Sequence, residues 1–496
     1  MTPDVITAKE TLFAPCKTGL SSPLAILHPD SLYADHVVGR ISSLPDLTNR
    51  NLIMLHDICL ISCYGTADPG IAAFLNGLNR ALEVHGIRLL VLTTQPNPDL
   101  DALSIDIPYL LSGFDQMLDD KVKTNPLHPL QATLASEEVQ TGHAQDREVV
   151  RRGMAKCEAF YAALGNTLSP CAAFLWNTTL PHGRIARNTL CATGIPAYCI
   201  ERGWLPGTFQ LHTFENNAYN DFFTDFTLNR SLPDIVQLYG AMPEPFDSAQ
   251  QFYLAQRIQK YDAGPQLDAQ DLRRKYGLGN GKLAVCFCGL AGASAGPHNM
   301  PSMAYTSPHF ESVSEALAMF SNLMAPYPDV QVLVQEHPIQ RIIGNNARIP
   351  TRFIATDGEN IHTLLNAADH LAFIGSTTVQ AEALLVDKPR LSLSRDAASL
   401  VGASYGFVEK GPEAVASWMS DKDAKENAFA ARAMINYICR ERLIRDEKLP
   451  DFVRRDINDL ADYIAGLSRP SKITVDERLE RFIAEANDML MNSCTD

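Results

Sequence analysis

Apolar and polar residues alternate along the chain in a repeating order of strand-like and helix-like segments. "LIMLHDICLISC", which begins at residue 52, is strand-like, "IAAFLNGLNRALEVHG" has the spacing of an amphipathic helix, and "IRLLVLTT" is strand-like again. This order predicts a β-α-β unit with parallel strands. A similar order returns between residues 147 and 203, and residues 234–262 are predicted to be helical.

The same alternation restarts at Lys282 and continues to about residue 415. Five strand-like segments, "KLAVCFCG", "VQVLVQEHP", "RFIATDG", "HLAFIG" and "PRLSLS", occur among helical patterns. The sequence therefore predicts an α/β fold with two facing Rossmann-like domains and a ligand in the cleft between them. We predict an N-terminal domain over residues 1–265, a nucleotide-binding domain over 270–415 and a helical segment over 416–496.

Composition narrows the class of protein. The 496 residues carry a formal net charge of −15, which argues against binding to nucleic acid. No apolar stretch has the length of a membrane span, and "MTPDVITAKETLFAPCK" lacks the pattern of a secretory signal. The eleven cysteines lie mostly in apolar surroundings without zinc spacing, so we expect reduced, buried thiols in a cytoplasmic protein.

Glycines, hydroxyls and a histidine follow three strands of the second domain. Because ligands bind beyond the carboxyl ends of parallel strands, these residues are candidates for holding an anion or a nucleotide. Each also has a plain structural explanation, such as a helix cap or a loop glycine. Glu382 could reach ribose hydroxyls or could be a surface residue. The candidates are Gly289, His337, Pro338, Gly375, Ser376, Thr377, Thr378 and Glu382.

"VLVQEHP" followed by "NAADHLAFIGSTTVQAEALLVDKPRL" resembles the C-terminal half of bacterial capsule and O-antigen glycosyltransferases. The similarity is greatest to the CMP-sugar enzymes, the retaining β-Kdo transferases and, more distantly, bacterial sialyltransferases. The resemblance implies a GT-B fold in which the His-Pro and Gly-Ser-Thr motifs bind CMP. It therefore assigns CMP contacts to His337, Pro338, Ser376 and Thr377, and makes Glu382 a ribose partner.

In the first domain, "CIERG" resembles the acidic-x-Gly element of the same families. A carboxylate at Glu201 suits general acid/base work or attack on an anomeric carbon. The related enzymes carry an aspartate about eleven residues later, where this chain has His212. A retaining enzyme needs a carboxylate nucleophile, and Glu201, Glu215 and Asp221 are all candidates for it. Asn177, His182 and Arg202 are candidates for contacting the sugar or the acceptor.

The resemblance implies transfer of a Kdo-type sugar from CMP to a surface polysaccharide or a lipid-linked glycan. We expect no cofactor and no metal, because one phosphate can be held by a helix N-terminus. We expect a cytoplasmic protein, either free or associated with the inner membrane. The same motifs would also suit a UDP- or GDP-sugar transferase, a teichoic-type glycerophosphate transferase or a catalytically altered glycan-binding homologue.

Overall fold

The protein is described by a computed structural model. The described residues are 56–63, 68–93, 97, 99–106, 157–176, 181–205, 207–213, 232–256, 264–289, 307–337, 347–375, 377–445, 451–469, 471 and 473–492.

The first domain alternates strands with helices, as the hydrophobic pattern predicts. Its elements are β1 (Asp57–Cys63), α1 (Pro69–Val84), β2 (Ile87–Thr93), β3 (Leu103–Asp106), β4 (Ala172–Trp176), α2 (Pro181–Ala192), β5 (Ala197–Arg202) and β6 (Thr208–Thr213).

Two helices, α3 (Leu232–Gly240) and α4 (Phe246–Gln256), follow the first domain. The second domain contains α5 (Ala269–Lys275), β7 (Leu283–Cys288), α6 (Val313–Leu323), β8 (Gln331–Gln335), β9 (Phe353–Ala355), α7 (Ile361–Ala367), β10 (His370–Ile374), α8 (Val379–Ala383), β11 (Arg390–Ser392), α9 (Ala397–Leu400), β12 (Tyr405–Gly406), α10 (Phe407–Lys410) and α11 (Pro412–Ser420).

The chain ends with α12 (Ala424–Tyr437), β13 (Leu443–Arg445), β14 (Arg455–Asp456), α13 (Ile457–Leu467) and α14 (Val475–Asn492). Both short strands belong to the first sheet, where β13 pairs antiparallel with β6 and β14 pairs with β13. The C-terminal segment therefore returns to the first domain and extends its sheet, in addition to forming the predicted helices.

The two central sheets share a strand order. The first reads β3-β2-β1-β4-β5 and is parallel over these five strands, and β6 then joins antiparallel. The second reads β9-β8-β7-β10-β11-β12 and is parallel throughout its described strands. This is the doubly wound order of a Rossmann fold. The structure confirms the predicted GT-B-like fold class of two Rossmann-like domains with C-terminal helices.

Helix α1 illustrates how the sequence builds these layers. Its buried residues recur at helical spacing and include Ile71, Phe74 and Leu78. Phe74 stacks on Phe209 of β6 at a centroid distance of 3.7 Å. The Asp68 carboxylate caps the helix by accepting hydrogen bonds from two main-chain N–H groups. The helix is thereby fixed over the sheet directly beyond the end of β1.

One apolar cluster joins the two domains. It contains Trp204, which follows β5, together with Tyr253 of α4 and Ala381 of α8. Because β5 belongs to the first sheet and α8 follows a strand of the second, this cluster links the carboxyl ends of strands from both sheets. It brings the predicted catalytic and nucleotide-binding regions toward one another.

The described cysteines are free, and all but Cys191 are buried. Burial raises the pKa of the Cys171 thiol to about 12, and the neighbouring Asp57 charge adds to this effect. Such thiols stay protonated and are poor nucleophiles. Among the described residues, no helix has the length and apolarity needed to cross a bilayer.

Candidate functional site

The strand order of the second sheet reverses between β7 and β10, and this is where open parallel sheets bind ligands. Gly289 follows β7, and its N–H donates to the carbonyl of Ile374 at the end of β10, at 2.8 Å. His337 comes two residues after β8, which lies on the other side of β7. Three of the predicted motifs thus lie on three adjacent strand ends.

Residues Gly375 to Thr378, which we name the hydroxyl turn, follow β10. Gly375 has a φ of +67°, which favours glycine because a side chain would strain this conformation. Thr377 and Thr378 are half-buried, and Ser376 lies outside the described residues. No described residue accepts a hydrogen bond from the main-chain N–H of Thr377 or Thr378. These two groups are available to an anion.

Helix α8 is shorter than the sequence pattern predicts. The pattern "TTVQAEALLVD" predicts a helix of three turns, whereas the helix covers five residues. The dipole of so short a helix is small, because the macrodipole sums over aligned peptide units. Any anion held here would depend on individual N–H and hydroxyl groups rather than on a helix dipole.

The end of β11 contributes polar residues that are not among the sequence-predicted candidates. Ser394 is buried, and its Oγ accepts a hydrogen bond from the N–H of Gly375 at 2.8 Å. Asp396 is also buried and accepts from Nε2 of Gln380 in α8 at 2.6 Å. The available signal was the run Ser-Arg-Asp immediately after the strand-like "PRLSL".

Glu382 is buried rather than exposed at the surface. Its carboxylate accepts a hydrogen bond from the Tyr253 hydroxyl of α4, and the Tyr253 ring stacks on His362 at 4.5 Å. Burial, followed by the Glu382 charge and this hydrogen bond, raises the pKa of Tyr253 well above its usual value. The phenol therefore stays protonated as a donor. Contact with a ribose, the predicted role of Glu382, remains a prediction.

His337 is half-buried, while its neighbour Glu336 is buried and accepts a hydrogen bond from the N–H of Ala347 at 2.6 Å. Pro338 lies outside the described residues. The loop after β8 is therefore anchored immediately before the histidine. Nucleotide contact by His337 and Pro338 remains a prediction.

At the carboxyl edge of the first sheet, Glu201 and Arg202 end β5 and are both half-buried. The backbone register sets Glu201 opposite Gln210 of β6. Arg202 forms an ion pair with Asp68, the residue that caps α1 after β1. The sequence-predicted carboxylate and arginine therefore lie at the same edge.

Asp68, in the segment "YGTADPG", is a further candidate that was not predicted from the sequence. Partial burial raises its pKa. Hydrogen bonds from Arg202 and from the Ile71 and Gly70 N–H groups, together with the Arg202 charge, outweigh this and lower the pKa below its usual value. Asp68 therefore stays ionised and orients Arg202 rather than accepting a proton. Its only sequence signal, Asp-Pro-Gly before a helix, equally describes an ordinary cap.

Further predicted residues of the first domain, among them Glu215, are only partly described or lie outside the described residues. The main chain of His212 lies opposite Cys199, two positions further from the carboxyl edge than Glu201. His182 lies in α2, but its side chain, like those of Asn177 and Asp221, lies outside the described residues. Among the described residues, no group of three or more His, Cys, Asp or Glu side chains could hold a metal ion.

By sequence, the chain matches no protein-family profile and no curated protein. Solved structures similar to it include MnaA of S. aureus with UDP, which is 12% identical with a TM-score of 0.31 over 77% of this chain and 95% of that one. The glycosyltransferase SnogD from Streptomyces nogalater is 12% identical with a TM-score of 0.31 over 83% and 99%. The spinosyn rhamnosyltransferase SpnG is 12% identical with a TM-score of 0.30 over 83% and 100%. Scores this low add nothing to the topology described above.

Proposed function

We propose that the chain is a glycosyltransferase that moves a Kdo-type 2-keto acid sugar from CMP onto a bacterial surface polysaccharide or a lipid-linked glycan. The observation that carries this proposal is that Gly289, the hydroxyl turn and His337 follow three adjacent strands at the strand-order reversal of the second sheet. The similarity of the His-Pro and Gly-Ser-Thr motifs to those of CMP-sugar enzymes supports the choice of nucleotide.

The second domain would hold the donor nucleotide. The N–H groups of Thr377 and Thr378 would donate to the single phosphate of CMP, and the Thr377 and Thr378 hydroxyls could add further donors. His337, on the other side of β7, would donate to a phosphate or ribose oxygen. This arrangement requires no metal, so we expect turnover to persist in EDTA.

The first domain would supply the residues that act on the sugar. In a retaining reaction, the Glu201 carboxylate would attack the anomeric carbon, and the bond from that carbon to the CMP phosphate oxygen would break with CMP as leaving group. An acceptor hydroxyl would then displace Glu201, losing its proton to a general base. Arg202, held by Asp68, would pair with the sugar carboxylate.

The identity of the nucleotide is tested by thermal shift with CMP, UMP, UDP and GDP at equal concentration. We expect CMP to raise the melting temperature most, because bound ligand stabilises only the folded chain. A clear preference for UDP or GDP would favour another sugar-nucleotide transferase and remove the CMP assignment. No stabilisation by any of the four would count against nucleotide binding altogether.

The reaction is tested with CMP-Kdo and CMP-sialic acid and a panel of glycan acceptors. Glu201→Gln should lose most of the turnover and keep its affinity for CMP, because the carboxylate acts on the sugar rather than on the nucleotide. Glu83→Gln, at the far end of α1 in the same domain, is the matched control and should retain its rate. Unchanged rates in Glu201→Gln would exclude Glu201 from the mechanism. CMP binding without turnover or hydrolysis of the donor in the unaltered protein would favour a catalytically altered glycan-binding homologue.

A further inference from the structure

The peptide group between Ile374 and Gly375 is fixed from two sides. Its carbonyl oxygen accepts from the N–H of Gly289 after β7 at 2.8 Å. Its N–H donates to Ser394 Oγ after β11 at 2.8 Å. The Ser394 hydroxyl is buried and lies 3.3 Å from the hydroxyl of Ser307, which is also buried. The start of the hydroxyl turn is therefore tied to both neighbouring strands.

Helix α8, which follows the hydroxyl turn, is tied to the same segment of chain. Gln380 in α8 is buried, and its Nε2 donates to Oδ2 of Asp396 at 2.6 Å. The other carboxylate oxygen of Asp396 accepts from the N–H of Ser399 at 2.7 Å and caps α9. The side-chain carbonyl of Gln380 is buried without a partner among the described residues. Loss of the Asp396 bond would thus leave a whole buried amide unsatisfied, which is costly.

We propose that Ser394 and Asp396 are positioning residues that hold the chain on both sides of the hydroxyl turn so that the N–H groups of Thr377 and Thr378 converge on an anion. The proposal rests on the function proposed above, because it assigns the residues that shape the predicted phosphate site. Asp396 carries the same charge sign as a phosphate and would repel it. It therefore acts through Gln380 and not by contact with the ligand.

The chain offers a matched control for Ser394. Ser392 lies two residues earlier, is equally buried, and shares one hydrogen bond with Ser404 at 2.7 Å. Ser392→Ala and Ser394→Ala each remove one buried hydroxyl from the same stretch of chain. Only Ser394→Ala releases the N–H of Gly375.

The first experiment compares these two variants by calorimetric titration with CMP and by hydrogen exchange across residues 374–383. We expect similar falls in melting temperature. Ser394→Ala should bind CMP about five- to tenfold more weakly, the size expected for losing one buried hydrogen bond that holds the site, while Ser392→Ala should stay within about twofold. Exchange across 374–383 should be faster in Ser394→Ala alone.

The second experiment interchanges the donor and the acceptor of the Gln380–Asp396 hydrogen bond in two steps. Gln380→Glu sets two carboxylates against each other and should weaken CMP binding by at least about tenfold. Adding Asp396→Asn should recover most of this loss, because the Asn amide can donate to the introduced carboxylate while its carbonyl still caps α9. If Gln380→Glu caused only a local packing defect, the added Asp396→Asn substitution would not restore CMP affinity.

The outcomes separate the two proposals. If the unaltered protein binds none of the four nucleotides, the proposed function fails, and the exchange comparison still decides whether Ser394 holds the turn. If the protein binds CMP but the Ser394→Ala and Ser392→Ala variants bind and exchange alike, the positioning role is overturned while the function stands. Failure of the double variant to recover affinity would remove Asp396 from the proposal.

Discussion

The carboxyl edges of the two sheets have the same strand order but different chemistry. In the second domain, neutral groups join the strand ends, through the main chain of Gly289 and the hydroxyl of Ser394. In the first domain, a charged pair, Asp68 and Arg202, joins the edge, and both side chains remain about one third exposed. One fold therefore presents N–H groups on one edge and a cation beside a carboxylate on the other.

This difference suits separate roles for the two edges. The direct partners of the Ile374–Gly375 peptide group are neutral, and the nearby Asp396 carboxylate is already bonded to Gln380 and Ser399, so the N–H groups that follow can accept an anion such as a phosphate. A guanidinium oriented by a carboxylate keeps donors for a second carboxylate, and Glu201 is the preceding residue at the same end of β5. We therefore assign binding of the nucleotide to the second edge and chemistry on the sugar to the first.

The first domain contains a buried ion pair at its sheet, and its loss gives the largest expected effect. Arg478 of α14 is buried and binds the carbonyls of His56 and Leu168 and the carboxylate of Asp57. Arg478→Met should destabilise the protein by about 3 kcal/mol, because it leaves a buried charge without its counter-ion. Urea unfolding measures the loss, and Arg481→Met, on an exposed position of the same helix, should cost far less. Equal losses would show that the first sheet does not depend on this buried pair.

The second largest expected loss of stability comes from the hydrogen bond between Tyr253 and Glu382, at the cluster that joins the two domains. Tyr253→Phe removes the donor to the buried Glu382 and should cost about 1.5–3 kcal/mol in urea unfolding, as expected for a hydrogen bond to a charged group. Tyr463→Phe removes an exposed hydrogen bond to Tyr198 and is the control. If both variants lost the same small amount, the Tyr253–Glu382 contact would not stabilise the packing between the domains.

The charged pair of the first edge should matter little for stability. Asp68→Asn keeps the cap of α1 but removes the charge that orients Arg202, so the free energy of unfolding should change by less than about 1 kcal/mol. The KM for the CMP-sugar should rise while the affinity for CMP itself stays the same. Asp271→Asn removes a comparable exposed pair with Arg274 and should change neither quantity. A matching loss of CMP affinity in Asp68→Asn would contradict the assignment of this edge to the sugar.

Much of the fold could be predicted because its signals are local. Strand and helix periodicity identified β1, α1 and β2, and the strand-end motifs marked the edge where Gly289 and Gly375 meet. Parallel strands make this possible, since every strand end of one sheet lies on a common edge.

The remaining features depend on contacts between distant parts of the chain. The strands β13 and β14 are two or three residues long and take their places by pairing with β6 and with each other, so they have no periodicity of their own. The burial of Glu382 depends on Tyr253, which lies 129 residues earlier. The pairing of Arg202 with Asp68 likewise spans two strand ends and leaves no local pattern.

The smallest expected effect on stability concerns the amino edge of the second sheet. At this edge, His370 is buried against Trp418, with ring centroids 5.2 Å apart. Burial and then the Lys282 charge lower the pKa of His370, and these outweigh the Met419 carbonyl and the Asp369 and Asp421 charges, which raise it. The unfolded histidine therefore binds its proton at a higher pH than the folded one.

As the pH falls below about 6.5, the unfolded state gains protons first, so the free energy of unfolding should decrease. His370→Phe keeps an aromatic ring against Trp418 and removes the titration. We expect urea unfolding of the variant to lose less stability between pH 7.5 and pH 5.5 than the unaltered protein loses. An identical loss in both proteins would mean that acid weakens the second domain through groups other than this histidine.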